Sequence, residues 1–260
     1  MGSVTFNNIS TTELGILVEV FPDYEIPERS MDIVSVPGRN GDIIIDHGTY
    51  KNVNRVYRFA KPCDAIYPTP AAAARVISNW LMAPHGYRRL QDSYDGDRFD
   101  HYYRDAYFKG GVTVSNINND AGRLACTFVC KPQRFAIIET LPTCTNQSQY
   151  VFSLWNRHPY DANPIITITA NTTGKYTIFT GSVQAPGSVA LQLSMNSGQT
   201  LVIDTETKNV YSRSTSWNEV VTVTNPDWIK LAASTTTSFL IVAPTGGTFS
   251  AEVDPRWWTL

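Results

Sequence analysis

The acidic and aromatic segment at residues 92–100 holds the side chains best equipped for chemistry. A glycoside hydrolase needs such a set, because one carboxyl group protonates the leaving oxygen while a second attacks the sugar or activates water. Asp95 and Asp97 would form this pair. The alternative, which the sequence favours, is a solvated turn between two strands whose acidic charges are balanced by nearby arginines (Arg88, Arg89, Arg98 and Arg104).

Metal and cofactor chemistry finds little support in the rest of the sequence. In residues 92–100 the acids do not alternate before the glycine as a calcium loop requires, and the four histidines lie far apart. Cys126 and Cys130 lie about 13 Å apart along a predicted strand, too far for a disulfide or a shared zinc ion. We therefore expect no cofactor and no metal, and two buried thiols on the same strand face as Phe128.

The composition divides the chain into two halves. Residues 1–135 hold 30 charged side chains, 15 basic and 15 acidic, whereas residues 136–260 hold only 14. This change predicts two domains, 1–135 and 136–260, with the join near residues 131–135 or in the polar stretch 143–149. The net charge of −2 offers no basic surface for sequence-specific binding of nucleic acid.

Membrane and export signals are not recognisable in the sequence. No segment reaches the roughly 18 apolar residues of a membrane span, and the first residues do not have the pattern of a signal peptide. We expect synthesis in the cytoplasm and no membrane insertion.

Short strands dominate the predicted secondary structure of the first half. Runs rich in Val, Ile and Tyr at residues 14–20, 31–36, 42–45 and 53–59 are separated by turn residues, notably at 37–41. In the last of these strands, Val53, Arg55, Tyr57 and Phe59 share one face.

One segment of the first half has the pattern of a helix. Thr69 is suited to the N-cap and Pro70 to the first turn. Residues 73, 76, 77, 80 and 81 then form one apolar stripe, and Pro84 ends the segment. Trp80 lies on this stripe, which indicates a core residue.

The second half is predicted to contain only strands. They are residues 165–169, 176–179, 189–193, 200–204, 220–224, 239–242 and 249–253. Short strands at this spacing, separated by Gly, Pro and Asn, are typical of a sandwich or jelly roll. Trp217 and Trp258 are candidates there for contact with a glycan or a protein partner. For Trp258 the favoured interpretation is packing of the last chain segment onto the sandwich.

Several segments, taken in order, resemble the distal tail protein (Dit) family of siphophages, in its short form without an inserted carbohydrate-binding module. In the first half they are Val36-Pro37-Gly38-Arg39-Asn40-Gly41-Asp42, Tyr57-Arg58-Phe59, Trp80-Leu81, Gly86-Tyr87-Arg88-Arg89-Leu90-Gln91-Asp92, Tyr103-Arg104-Asp105-Ala106-Tyr107-Phe108 and Phe128-Val129-Cys130-Lys131-Pro132-Gln133-Arg134-Phe135. In the second half they are Asn163-Pro164-Ile165-Ile166, Leu201-Val202-Ile203-Asp204-Thr205-Glu206-Thr207 and Pro255-Arg256-Trp257-Trp258. The resemblance covers nearly the whole chain.

The resemblance implies a mainly β protein and a structural role in the virion rather than an enzyme. Its N-terminal belt domain, a β-sandwich with one α-helix and a β-hairpin, would close into a hexameric ring around the DNA channel. A C-terminal galectin-like β-sandwich would follow. The implied partners are further copies of the chain, the tail tube protein and a tail-associated hub, lysin or fibre protein. In some phages receptor-binding proteins are added.

Sugar-binding galectins use a His-Asn-Arg set and a Trp followed by Glu. In this sequence, Trp217-Asn218-Glu219 matches that pattern only loosely. A carbohydrate-binding module that recognises host surface glycans is the alternative function.

For the adaptor, we expect the carboxylates between residues 92 and 105 to face the lumen or a neighbouring subunit. The interface or lumen candidates are Asp92, Asp95, Asp97, Arg98, Asp100, Tyr102, Tyr103 and Arg104.

Overall fold

The computed structural model describes residues 2–96, 101–111, 115–117, 120–181, 186–212, 215–216, 218, 221–223 and 228–260. The chain divides into two compact units, Met1–Ile137 together with Leu260, and Ile138–Thr259. The polar stretch at residues 143–149 therefore lies inside the second unit, not at the division.

The first unit contains one helix and several short strands within the described residues. They are β1 Val4–Phe6, β2 Ile9–Ser10, β3 Leu17–Val20, β4 Arg29–Val34, β5 Ile43–Tyr50, β6 Val53–Pro62, α1 Pro70–Met82, β7 Arg88–Gly96, β8 His101–Phe108, β9 Ser115–Ile117, β10 Ala121–Cys130 and β11 Arg134–Ala136. The main sheet is antiparallel in the order β2-β1-β7-β8-β10-β6-β3, with β11 beside β8 and β9 beside β10.

Helix α1 begins and ends where the sequence predicts. The hydroxyl of Thr69 accepts a hydrogen bond from the Ala72 amide at 3.2 Å, and Pro70 occupies the first turn. The buried stripe packs against the main sheet, where Trp80 contacts Phe6 and Phe59 edge to face and donates its indole N–H to the Phe6 carbonyl at 3.3 Å. The prediction that Trp80 is a core residue is confirmed.

Strands β4 and β5 form a separate two-stranded sheet, the hairpin. Ile33 pairs with Ile44 and Val34 with Ile43, next to the predicted turn. Strand β5 is longer than predicted and ends at Tyr50. Its pairing with β4 continues past a register shift that lies between Ser30 and Met31 of β4. A two-stranded hairpin is at best marginally stable on its own in water.

The second unit is built from two antiparallel sheets with a shared apolar core. Its strands are β12 Thr143–Gln147, β13 Gln149–Asn156, β14 Ile165–Ala170, β15 Gly174–Gly181, β16 Pro186–Met195, β17 Thr200–Asp204, β18 Asn209–Ser212, β19 Thr215–Ser216, β20 Val221–Val223, β21 Thr235–Val242, β22 Phe249–Asp254 and β23 Trp258–Thr259. One sheet has the order β12-β22-β14-β17-β18-β19, the other β13-β21-β15-β16-β20, and the short β23 belongs to neither.

Sequence reasoning missed several strands, among them one polar strand at a sheet edge. Strand β12 buries only Cys144, so it lacks the apolar alternation by which a half-buried strand is recognised. Strands β13 and β18 were missed as well. The predicted fold class, a mainly β chain with a single helix, is nevertheless confirmed for the residues that the structure describes. In that part of the chain, no helix has the length and apolar character to cross a membrane.

Candidate functional site

Asp92 and Asp95, at the centre of the acidic segment, are buried in the first unit. Their exposed fractions are 4% and 7%. The interpretation as a solvated turn is therefore wrong for these two residues. In the isolated chain, other parts of the first unit cover most of both side chains. Three further candidates, Asp97, Arg98 and Asp100, lie outside the described residues.

The carboxylate of Asp92 is held by groups from its own strand and from β6. Its Oδ2 accepts hydrogen bonds from the Tyr57 hydroxyl at 3.0 Å and from Arg55 Nη2 at 3.3 Å, and its Oδ1 accepts one from the Tyr94 amide at 2.8 Å. Burial raises the pKa of the Asp92 carboxyl above its ordinary value, which these three donors oppose. Burial also raises the pKa of Tyr57, so the phenol stays protonated and remains a donor.

Asp95 lies between two buried guanidinium groups. Its Oδ1 accepts hydrogen bonds from Nε of Arg134 at 2.8 Å and from Nη2 of the same side chain. Its Oδ2 lies 3.5 Å from Nε of Arg104. Arg104 also donates to the Pro132 carbonyl at 3.2 Å, and burial lowers the pKa of its guanidinium. One carboxylate therefore balances two buried cations.

Tyr102 and Tyr103 take different positions beside this network. Tyr102 is buried, with the Arg134 guanidinium 4.3 Å from its ring centroid. Tyr103 stacks on Phe135 at 5.4 Å, and the Arg89 guanidinium lies 4.1 Å from the Tyr103 ring centroid.

We name Arg55, Tyr57, Asp92, Asp95, Arg104 and Arg134 the ion network. It joins β6, β7, β8 and β11, and its carboxylates are occupied by donors of the protein itself. A buried carboxylate held by two arginines is poorly placed to act as an acid or a nucleophile. The geometry of Asp92 and Asp95 therefore indicates a structural role.

Sequence reasoning missed Arg55 and Arg134 as members of the ion network. For Arg55 a signal was present, because it shares a strand face with Val53, Tyr57 and Phe59, all of which are buried. An arginine on an apolar face implies a buried anion. The identity of that anion, 37 residues further along the chain, could not be read from the pattern.

The two strand cysteines are the buried thiols that the sequence predicts. Cys126 and Cys130 are free and buried, and burial raises the pKa of each thiol to about 12. At about pH 8 only about one in ten thousand of these thiols would be ionised, and the thiolate is the reactive form. Cys144 is buried as well, whereas Cys63 is partly exposed.

We expect iodoacetamide to add one group to the native chain near neutral pH, at Cys63, and four groups to the unfolded chain. Intact-mass spectrometry before and after denaturation measures this directly. Cys63→Ser is the control, and it should leave the native chain unlabelled. Rapid native labelling of Cys126 or Cys130 would contradict the burial described above.

The hairpin exposes aliphatic side chains on both of its faces. Ile33 and Ile44, which are 62% and 64% exposed, form a cross-strand pair on one face. Val34, Ile43 and Ile45 are exposed on the other face. We call these five residues the hairpin surface. Exposed apolar side chains grouped on one short element often mark a site of contact with another protein.

The distribution of exposed apolar residues differs between the units. Among the described residues, all the large exposed hydrophobic side chains lie in the first unit except Tyr150, Trp155 and Val223. The first unit also has an open groove of about 550 Å³ beside α1. Ile66, Val76 and Trp80 supply part of its apolar lining, and Arg75 supplies a positive charge.

The two tryptophan candidates of the second half have different outcomes. Trp217 lies outside the described residues. Trp258 stacks on Tyr160 with ring centroids 4.3 Å apart and donates its indole N–H to the Asp161 carbonyl at 2.9 Å. These contacts are of the kind expected if Trp258 packs the end of the chain onto the sandwich.

No family model matches this chain, and no curated protein is similar to it in sequence. Among solved structures, the chain is similar to the crystal structure of SPP1 Dit (gp 19.1), described as a paradigm of the hub adsorption apparatus in phages that infect Gram-positive bacteria. The TM-score is 0.60 and the identity 13%, over 98% of both chains. The two proteins share a fold.

A glycoside hydrolase family 43 arabinoxylan arabinofuranohydrolase from Bacillus subtilis also matches, at 11% identity over 83% of this chain and 55% of that chain. Its TM-score of 0.21 is too low to relate the two folds. It lends no support to glycoside hydrolysis.

Proposed function

We propose that this chain is a structural adaptor of the tail tip of a long-tailed bacteriophage. Six copies form a ring that joins the tail tube to the hub or fibre proteins and surrounds the DNA channel. The observation that carries the proposal is the hairpin surface, which places five exposed aliphatic residues on a sheet of only two strands. The fold shared with SPP1 Dit over 98% of the chain supports the tail-tip setting.

Contact with a partner would bury the exposed aliphatic side chains of the hairpin. Burying an isoleucine side chain stabilises a contact by about 1.5–3 kcal/mol, so several together supply much of the driving force for association. Ring closure also covers strand edges that would otherwise template uncontrolled association.

The groove beside α1 offers a suitable acceptor in the next copy. Its lining is largely apolar, like the hairpin surface, and Arg75 would face acidic groups such as Asp42 beside the hairpin turn. Hairpin and groove are different surfaces of the same unit, so a contact between them is heterologous. Heterologous contacts give closed rings when the rotation between neighbours closes.

The charge of the chain is compatible with a DNA conduit. The 21 basic and 23 acidic residues leave a net charge of −2. A wall without excess positive charge has little attraction for phosphate, so DNA can pass without being held.

Native mass spectrometry of the purified chain tests the proposal. We expect a species of about 173 kDa, six times the 28.9 kDa of one chain, and ring-shaped particles with six-fold symmetry in electron micrographs. A monomer at every concentration up to the solubility limit, or an open polymer, would contradict the ring.

A further inference from the structure

Strand β13 forms an open edge of the second unit. Its eight residues pair with β21 in one unbroken register, and in the described part of the chain no strand pairs with its other side. The other edge strands described for this unit are shorter, since β12 has five residues and a register shift, β20 has three residues and β19 has two. Proteins usually protect an edge by shortness, irregularity, charged residues or proline. None of these protections is present in the sequence of β13, Gln149-Tyr150-Val151-Phe152-Ser153-Leu154-Trp155-Asn156.

The hydrogen bonds of the ladder show which backbone groups of β13 point to the open side. The Ala243 amide donates to the Ser148 carbonyl at 2.8 Å, and this pair continues the register of β13 with β21. Hydrogen-bonded and non-hydrogen-bonded pairs alternate along an antiparallel ladder, and side chains lie closer in the latter. The hydroxyl oxygens of Ser153 and Ser238, only 3.1 Å apart, fit a non-hydrogen-bonded pair. The amides and carbonyls that point to the open side therefore belong to the odd-numbered residues Gln149, Val151, Ser153 and Trp155.

Two large exposed apolar side chains of the second unit also lie on β13, one on each face of the sheet. Trp155, which is 61% exposed, points away from the core. Tyr150, which is 38% exposed, lies in the same row as the buried Phe152 and Leu154, and its ring centroid is 4.9 Å from that of Phe152. Because both side chains stand on the edge strand, a strand added beside β13 would contact both of them.

These features favour a protein strand as the occupant of the edge. Amides and carbonyls at the spacing of a strand are complementary to another extended backbone, and in strand addition they supply affinity while alternate side chains supply specificity. The side chains around the edge also have the composition of protein contacts, which are rich in aromatic residues and arginine. Besides Trp155 and Tyr150, Arg157 is exposed just after the strand, and the partly exposed Phe179 pairs with Leu240 on the outer face.

A second copy of this chain is a poor occupant of the edge. Pairing of the β13 edge with the same edge of another copy needs a two-fold axis. The proposed ring, which is built from heterologous contacts, has no such axis between neighbours. The choice of a different protein as occupant thus rests on the proposed ring, whereas the open edge itself does not.

We propose that the open edge of β13 binds an extended segment of a different protein, which adds a strand to the sheet β13-β21-β15-β16-β20. The segment spans about five or more residues, as strands do. Its alternate amides and carbonyls bond those of β13 that point to the open side. Its apolar side chains cover Tyr150 on the core side and Trp155 on the outer face.

Selection of binders from a display library of random peptides of about twelve residues, long enough to span the strand, tests the proposal on the full-length chain. We expect peptides with apolar residues at alternate positions. Methylation of the alternate peptide amides that face β13 should abolish binding, whereas methylation of the other amides should change it little. Hydrogen exchange measured by mass spectrometry should show that half of the β13 amides, the odd-numbered ones, exchange rapidly in the free chain and slowly in the complex.

Two substitutions at Ser153 separate backbone pairing from side-chain contact. Ser153→Pro removes an amide of the open side without removing a bond to β21, so the fold should survive and peptide binding should weaken about tenfold or more. Ser153→Ala keeps the amide and is the matched control, which should bind like the unmodified chain. Trp155→Ala should weaken binding about tenfold. Circular dichroism verifies the folds, and the methylated peptides test the same pairing if the proline variant does not fold.

Native mass spectrometry separates this edge from the ring. Ser153→Pro should form the same oligomer as the unmodified chain, because the edge uses neither the hairpin nor the groove. A smaller oligomer would mean that a second copy occupies the edge, which would overturn the choice of a different protein. Failure to recover a peptide, or binding that survives Ser153→Pro or methylation of the alternate amides, would overturn strand addition. Peptide binding by an unmodified chain that forms no ring would count against the proposed function alone.

Discussion

Replacing Asp95 by alanine should lower the free energy of unfolding of the first unit by about 3–5 kcal/mol, the range for removing one partner from a buried ion pair. Asp95 is 7% exposed and accepts from Arg134 while lying 3.5 Å from Arg104. Its loss leaves two buried guanidinium groups without their shared anion. The unfolding of the strands β6, β7 and β8 should therefore begin at lower denaturant.

Hydrogen exchange measured by mass spectrometry across a urea series can follow those strands separately from the second unit. Asp95→Asn keeps the shape of the side chain and should destabilise in the same direction, because a neutral amide cannot balance the guanidinium charges. Its stability can also be measured if the Asp95→Ala variant does not fold. In the second unit neither change should alter exchange.

The control for Asp95 is an ion pair near the surface. Glu19 contacts Arg123, whose side chain is 45% exposed. Pairs of this kind contribute about 0–1 kcal/mol, so Glu19→Ala should have a small effect. An Asp95→Ala effect as small as that of Glu19→Ala would mean that the ion network does not hold the first unit together.

Introducing aspartates at Ile33 and Ile44 should prevent ring assembly altogether. The two side chains form one exposed cross-strand pair of the hairpin. Each substitution loses an apolar contact worth about 1.5–3 kcal/mol and would also bury a charge in an apolar interface. Each contact should weaken by more than about a thousandfold, and native mass spectrometry should then show only the monomer.

The fold should survive these two changes, because the hairpin does not belong to the main sheet and both residues face solvent in the isolated chain. Circular dichroism and the urea midpoint verify this. Val223→Asp is the matched control, since Val223 is an exposed aliphatic residue of the second unit. A normal ring from the Ile33→Asp/Ile44→Asp variant would exclude the hairpin from the interface.

Mixing two defective variants tests the polarity of the contact. A groove variant, Ile66→Asp with Arg75→Glu, keeps its hairpin, while the hairpin variant keeps its groove. If the hairpin of one copy enters the groove of the next, the mixture can form only one intact contact and should stop at dimers. Monomers in the mixture would argue against this pairing, and restored rings would argue against a role of either surface.

Local patterns in the sequence were sufficient for much of the fold. Helix α1 was predictable because a capping residue, a first-turn proline and an apolar stripe all act within about four turns of one segment. Strand β6 was predictable because alternation of buried and exposed side chains is a property of the single strand. The burial of Cys126 and Cys130 followed from the same alternation.

Tertiary structure decided what depends on distant pairing. Asp92 and Asp95 looked like a solvated turn because their partners, Arg55 and Arg134, are 37 and 39 residues away. Strand register determines which of these distant side chains come into contact. No local sequence pattern encodes the register between distant segments.

The exposure of the hairpin surface and of Trp155 was equally hidden in the sequence. Aliphatic runs and an isolated tryptophan are usually read as core. Whether they are buried depends on which other elements pack against them. The sequence therefore determined which segments form strands or the helix. The packing of those segments decided which charged side chains are buried and which apolar side chains stay exposed.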